Sequence, residues 1–274
     1  MIIDAHQHFW AVSRGDYGWL ENNPAVGAIA RDIRPADLRP HLSRHRIDRT
    51  VLVQAAPTLE ETEYLLGLAD ATDFIAKVVG WIDFEDKSHA RHLARFAKHP
   101  KFAGVRPMIQ DIADENWMHR PEVQWAFAAI IEHDVTFDAL GHPRHLAAFG
   151  RLFHRYPHMR TVIDHGMKPS IRTGEFDAWA AGMSELASFP HVTCKLSGLL
   201  TEAASGANEA TLKPYVAHLL ASFGPDRLMW GSDWPVLELA AGYDDWWSMA
   251  RALVPAAAAD AIFGETASRF YRIR

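Results

Sequence analysis

The sequence predicts a (β/α)8 TIM barrel of the α/β class, one domain spanning residues 1–274. Three observations predict it. Short β-branched or apolar runs recur eight times, amphipathic stretches lie between them, and no linker or low-complexity segment divides the chain. Strands that read as nearly continuous apolar runs and alternate with helices form a parallel sheet covered by helices. Eight such units fit a closed barrel better than an open doubly wound sheet, and such barrels typically take about 250 residues. No Gly-x-Gly-x-x-Gly turn follows the first run and no P-loop occurs, so the nucleotide-binding folds lose their main signature.

In chain order, the first strand is expected at residues 2–5. A long loop follows, residues 9–34, holding Trp10, Tyr17 and Trp19. Loops of this length are usually lids or binding loops. The second strand is expected at 50–54, then a helix at 59–71, where Thr58 and Glu61 have capping-box spacing. Strand three (75–82) precedes a helix at 90–98, and strand four (102–106) a loop at 110–120 and a helix at 122–132. Strand five (135–139) leads to a helix at 144–155, and strand six (161–164) to a loop at 166–175 and a helix at 176–188. Strand seven (192–196) leads to a loop at 198–208 and a helix at 209–223. Strand eight takes 228–231, and a final helix at 260–271 closes the ring. The long loops fall on the carboxyl side of the strands, where active sites of this fold sit.

Composition removes several function classes. Hydrophobic residues make up 49% and charged residues 23%, ordinary for a globular protein. A net charge of −6 argues against a nucleic-acid footprint, which needs a basic surface. One cysteine, Cys194, permits no intramolecular disulfide, compatible with a reducing compartment. The start Met1-Ile2-Ile3-Asp4 lacks the basic and apolar regions of a secretory signal, and no run of about 18 apolar residues offers a membrane span. The expected location is therefore cytoplasmic, with a small-molecule substrate as partner and the oligomeric state open.

Sixteen histidines and ten tryptophans stand out. His6 and His8 flank Gln7, and residues two apart on a strand point to one side. With so many histidines about one such pair arises by chance, so spacing alone decides little. Position decides more. His165 follows strand six, Asp233 follows strand eight, Arg106 ends strand four and Lys195 lies in strand seven. Polar groups at the carboxyl ends of several barrel strands read as catalytic, and titratable groups converging from five strands strengthen that reading. Others have ordinary readings. His142 reads as a solvated loop histidine; Gln54, Trp81 and Asp83 could line the pocket; Arg106 and Lys195 could form structural ion pairs. Cys194 alternates with Lys195 and is expected to face the helices, inert.

The stretches Ile3-Asp4-Ala5-His6-Gln7-His8-Phe9-Trp10, Ile163-Asp164-His165-Gly166, Cys194-Lys195-Leu196-Ser197-Gly198 and Trp230-Gly231-Ser232-Asp233-Trp234-Pro235 resemble the amidohydrolase superfamily. Within it they resemble the branch of sugar-lactone hydrolases and the related pyrone-dicarboxylate lactonases, from end to end of the chain. The resemblance implies that His6, His8 and His165 match histidines that bind metal in most of the superfamily, and that Asp233 matches the aspartate that activates water. Arg106 stands where a bridging carboxylate belongs, and strand five ends in Asp138 with His142 beyond it, which speaks against two metals. One Zn2+ or other divalent cation held by His6, His8, His165 and Asp233, and not required for activity, is the implied cofactor.

The expected reaction is hydrolysis of an aldonic acid lactone such as L-fuconolactone. Asp233 serves as general base and then acid, and His6, His8 and His165 polarise the carbonyl directly or through a metal. Arg106, Lys195, Trp19, Trp81 and His142 are the expected substrate contacts. The competing readings are a decarboxylase of the same superfamily, a metal-dependent phosphodiesterase or nuclease, and a non-catalytic sugar-binding protein. The nuclease needs more metal ligands and a basic approach; the binding protein has no use for a water-activating aspartate.

Overall fold

The computed structural model describes residues 1–21 and 23–274. Eight parallel strands neighbour one another in sequence order: β1 (Ile3–Gln7), β2 (Arg49–Val53), β3 (Ile75–Gly80), β4 (Phe102–Val105), β5 (Thr136–Ala139), β6 (Thr161–Ile163), β7 (Val192–Leu196) and β8 (Leu228–Trp230). The ring closes through backbone just past β8: Asp233 N donates to His6 O at 2.8 Å and His8 N donates to Trp234 O at 2.8 Å. Around the strands lie helices α1 (Pro35–His45), α2 (Leu59–Ala71), α3 (Ala90–Phe96), α4 (Gln124–Glu132), α5 (Leu146–Arg155), α6 (Asp177–Ala187), α7 (Glu209–Phe223), α8 (Tyr243–Leu253) and α9 (Thr266–Tyr271). The predicted TIM barrel is the observed fold.

Strand alternation sorts the core into two compartments. Ile3, Ala5, Val51, Val53, Val79, Ala103, Val162 and Met229 fill the lower barrel with small side chains, closed underneath by Tyr271 and Ile273. Their alternates, such as Phe137, Ile163, Cys194, Leu196 and Trp230, face the helices in the larger cluster. Cys194 lies there as expected. On β1 the alternation is interrupted, because the register with β2 shifts between Asp4 and Gln7. Ile3 and Ala5 already point inward; the extra residue lets His6 and His8 point inward as well. Bulges beside active sites commonly re-aim side chains in this way.

Several boundaries differ from the expected ones. β1 runs to Gln7, so His6 lies inside the strand. β3, β4, β6 and β8 stop one or two residues earlier than expected. Two helices were not anticipated, α1 and α8. α1 carries Pro40 in its interior and buries only Leu38 and Leu42. α4 and α5 are each preceded by a short 3-10 turn, and the final helix contains a π-helical segment, Ala261–Glu265, before α9. Thr58 caps α2 by accepting from Glu61 N at 3.0 Å, but the Glu61 carboxylate does not complete the box. It accepts instead from Ala55 N and Ala56 N, each at 2.9 Å, at the end of β2.

The described residues of segment 9–34 are built rather than loose. Trp10 and Ile33 exchange backbone hydrogen bonds, Trp10 Nε1 donates to Arg31 O at 2.8 Å, and two 3-10 turns, Val12–Arg14 and Pro24–Ile29, shape the rest.

β4 and β5 lie tight against each other at Gly104 on β4. A Cβ there would lie 2.1 Å from Thr136 Oγ1 and 2.2 Å from Thr136 O on β5. Overpacking of a tight core typically costs about 1–3 kcal/mol. Gly104→Ala is therefore expected to lower the thermal midpoint clearly. A wild-type midpoint in thermal unfolding would show that β4 and β5 can separate there without penalty.

Candidate active site

The four residues expected to carry chemistry converge on the carboxyl face of the barrel. His6 comes from β1 after the bulge and His8 from the residue beyond it. His165 follows β6 in a left-handed backbone conformation, φ 54°, and Asp233 follows β8 in the same region, φ 58°. Non-glycine residues seldom adopt this conformation, and where they do the fold around them must hold it. At His165 the room is made by Gly198, φ 64°, where a Cβ would sit 2.6 Å from the imidazole.

The ring nitrogens and the carboxylate form a compact set. His6 Nε2 lies 3.2 Å from His8 Nε2, and His8 Nε2 lies 3.2 Å from Asp233 Oδ1. Asp233 Oδ1 is 3.6 Å from His6 Nε2 and 3.8 Å from His165 Nε2. All four residues are buried. Behind them, His8 Nδ1 meets Val53 O at 2.8 Å and His165 Nδ1 meets Ser197 Oγ at 2.9 Å, contacts that fix the ring orientations. Asp4 holds the closure from the outer face: it accepts from Ser232 N at 2.8 Å and Tyr243 Oη at 2.9 Å. Burial lifts its carboxyl to about 6 against these bonds.

Burial lowers the His165 imidazole to about 4, and burial followed by the Lys195 charge holds His6 well below its ordinary range, so both are neutral at pH 7. Burial opposes ionisation of Asp233, but His165, the His8 hydrogen bond and His6 outweigh it and hold the carboxyl below the usual carboxylate range. Neutral imidazoles around one carboxylate anion are suited to polarising a carbonyl and accepting a proton from water.

Ligand atoms of His6, His165 and Asp233 all lie within 4.8 Å of one another. Tetrahedral zinc with bonds of about 2.0–2.1 Å requires ligand separations of about 3.4 Å, so the observed 3.6 and 3.8 Å fit one cation after a small contraction. His8 Nε2, 3.2 Å from two of these atoms, stands beside that set. Arg106 Nη1 lies 3.4 Å from His6 Nε2 and 3.3 Å from Asp164 Oδ2, so a guanidinium charge stands directly beside the histidine cluster.

Above this floor opens a cavity of about 880 Å³, lined among others by His8, His165, Asp233, Arg106, Trp19 and Trp81. Trp19 is anchored through Nε1 to Ala55 O at 2.9 Å. Asp83 also lines the cavity, whereas Gln54 lies below it with Nε2 donating to Arg106 O at 2.6 Å. Two expected substrate contacts stand elsewhere. Lys195 is fully buried beneath His6, its ammonium 2.6 Å from Asp138 Oδ2 and 2.9 Å from Asp164 Oδ1, so it neutralises carboxylates rather than reaching a ligand. His142 does not line the cavity; its backbone N–H donates to His145 Nδ1 at the start of the turn before α5. Lys168 was missed. It joins two loops through Nζ to Gln110 Oε1 at 2.6 Å, and both residues line the cavity. Its signal was the loop after strand six, and no spacing distinguishes a lysine there from a solvated one.

Residues 3–273 match the amidohydrolase family. The chain belongs to that family. The amidohydrolase is 46% identical to an L-fucono-1,5-lactonase of Burkholderia ambifaria, over 99% of this chain and 95% of the relative. It is 36% identical to an L-fucono-1,5-lactonase of Burkholderia multivorans, over 99% of this chain and 96% of the relative. A crystal structure of an amidohydrolase from Burkholderia multivorans with bound zinc superposes with a TM-score of 0.93 at 35% identity, covering 100% of both chains. Among the described residues no helix is long and apolar enough to cross a membrane.

Glu61 gives the rim of this site a pH dependence. Burial lifts its carboxyl from 4.5 to about 7, against the two backbone N–H bonds it accepts at Ala55 and Ala56. Between about pH 4.5 and 7 the unfolded chain has released this proton while the folded protein retains it, so rising pH lowers stability. Glu61→Gln removes that contribution. Thermal midpoints measured across the window should show the wild type losing ground to the variant as pH rises. A difference that stays constant would mean that Glu61 titrates alike in both states.

Proposed function

We propose that this amidohydrolase opens a sugar lactone of the L-fucono-1,5-lactone type to its free aldonic acid, as one catalytic domain over residues 1–274, in the cytoplasm and in carbohydrate metabolism. The observation that carries this reading is the 46% identity over 99% of the chain to a protein named L-fucono-1,5-lactonase. The site supplies what the reaction needs.

The lactone carbonyl sits on the floor of the cavity against the histidines, with Trp19 and Trp81 against the sugar. Asp233 takes a proton from a water as its oxygen adds to the carbonyl carbon. Imidazole N–H groups from the histidine cluster stabilise the oxyanion, and donors aimed at developing charge are usually the largest single contribution to such catalysis. The tetrahedral intermediate then breaks its bond to the ring oxygen, and Asp233 returns the proton to that oxygen. Arg106, at the floor, complements the carboxylate formed. His6, His165 and Asp233, with His8 beside them, would hold a divalent cation such as Zn2+; when bound, it supplies Lewis-acid polarisation of the carbonyl. The Arg106 guanidinium in place of a carboxylate, together with a net charge of −6, speaks against a two-metal phosphodiesterase.

The test uses L-fucono-1,5-lactone, with acid release followed by a pH indicator. General acid–base contributions are about 10²–10⁴-fold, so Asp233→Asn should lower kcat by at least the smaller figure with a near-native thermal midpoint. The wild type should keep a large share of its activity in chelator. A folded Asp233→Asn retaining most of its kcat contradicts the mechanism. Complete loss in chelator restored by Zn2+ would make the metal obligatory.

A further inference from the structure

The wall of the cavity holds a cation that the mechanism above does not use. Lys168 and Gln110 both line it, as does His165. The backbone that delivers Lys168 is strained. Four consecutive residues, His165, Gly166, Met167 and Lys168, have positive φ of 54°, 55°, 60° and 50°. Non-glycine residues enter this left-handed region singly as a rule, because Cβ crowds the following carbonyl. Lys168 N donates to His165 O at 2.9 Å and closes the turn, so side chains three residues apart reach one cavity. Such a run persists only where its surroundings hold it, and strain of this kind gathers at ligand sites. The role of His165 accounts for the first residue of the turn. Packing does not account for the last, because Lys168 is only half-buried.

The ammonium at the end of this turn is held but not neutralised. Among the described residues its partner is Gln110 Oε1 at 2.6 Å, with no carboxylate at ion-pair distance. Gln110 is itself fixed, because Arg144 Nη2 donates to its backbone carbonyl at 2.7 Å. An ammonium carries three N–H donors, so two remain for a ligand. Arg106 on the floor differs, since its guanidinium already donates to Asp164 and to Gln54 O.

The other charges of the lining are negative. Asp16 is paired with Arg14 at 2.6 Å and Glu85 with Arg120 at 3.3 Å. Asp83, Asp111 and Asp233 also line the cavity, and among the described residues none of them has a lysine or arginine partner. An anionic ligand would therefore meet three unneutralised carboxylates against one unpaired ammonium, and a cleft focuses that repulsion. A hydroxyl suits both groups, accepting from the ammonium while donating to a carboxylate.

We infer that Lys168 is a specificity-determining residue that donates to a ring hydroxyl of a neutral, hydroxyl-rich lactone, with Gln110 as its positioning residue. This rests on the proposed lactone hydrolysis and narrows its substrates to lactones without an anionic substituent. Lys168 grips a part of the ligand that does not react. The contact is then equal in ground and transition states, and acts on KM rather than kcat.

Calorimetric binding of the lactam analogue of L-fucono-1,5-lactone tests this without turnover, in wild type, Lys168→Met and Lys168→Gly. Loss of a hydrogen bond from a charged group should weaken binding about ten- to a hundredfold in both variants. Glycine is at ease at a positive φ, so Lys168→Gly should keep a thermal midpoint no lower than wild type while binding weakly. Kinetics on the lactone should show a matching rise in KM with kcat little changed. Gln110→Leu should also weaken binding, and its effect should not add to that of Lys168→Met. Wild type should bind L-fuconate, the anionic product, more weakly than the lactam. Unaltered lactam affinity in Lys168→Gly overturns the inference, as does a wild type that binds the lactam no better than L-fuconate. Additive effects of Gln110→Leu and Lys168→Met would remove the role given to Gln110. Lactam binding that depends on Lys168 without any turnover would sink the hydrolysis alone. Turnover with Lys168 dispensable would sink this inference alone.

Discussion

The hydrogen bonds that close the barrel also assemble its chemistry. Asp233 N to His6 O and His8 N to Trp234 O join the end of β8 to the end of β1, and three of these four residues, Asp233, His6 and His8, are ones whose side chains meet. Asp233 cannot drift from the histidines without opening the ring. The closure is reinforced from behind by Asp4, which ties Ser232 and Tyr243 to the first strand. Left-handed backbone at Asp233 turns its carboxylate back over the barrel axis, where it meets the imidazoles. Such precision on rigid elements is what positioned catalysis requires.

Beneath the imidazoles the barrel buries two cations and two anions, Arg106, Lys195, Asp138 and Asp164. Isolated, each would carry a large desolvation cost; together they compensate one another. Against its burial, Lys195 and then His6 hold Asp164 well below the ordinary carboxylate range, with Arg106 contributing. Asp138 responds in the opposite direction, because burial and the neighbouring Asp164 outweigh the ammonium. This balanced layer separates the apolar lower barrel from the reactive upper end. Each of these charges is paired before a ligand arrives.

Much of this was legible in the sequence. Eight apolar runs marked the strands, and His6, His8, His165 and Asp233 could be placed at one end because functional groups of this fold cluster at the carboxyl ends of strands. What was not legible had identifiable causes. The bulge in β1 leaves no residue signature, since Asp4 to Gln7 would read equally well as regular strand. α1 was hidden by Pro40 and by having only two buried leucines, and α8 by aromatic residues that also suit loops. Lys195 looked like a substrate clamp because its strand position was right; only the facing carboxylates on β5 and after β6, distant in sequence, show that its charge is already engaged. Trp19 was readable as a cavity wall from its long loop, while Lys168 was not, because its role depends on Gln110 reaching it from another loop.

The central claim is that a lactone carbonyl docks between the histidine cluster and Asp233 at the closure of the barrel. A crystal structure of the metal-free enzyme with the lactam analogue of the sugar lactone, which resists hydrolysis, tests it most directly. The account predicts the lactam carbonyl oxygen about 2.7–3.1 Å from a histidine ring nitrogen of the cluster, with Asp233 in reach of a water on the carbonyl carbon. A lactam held in the outer cavity among Trp81, Asp83 and Gln110, its carbonyl remote from Asp233, would contradict it.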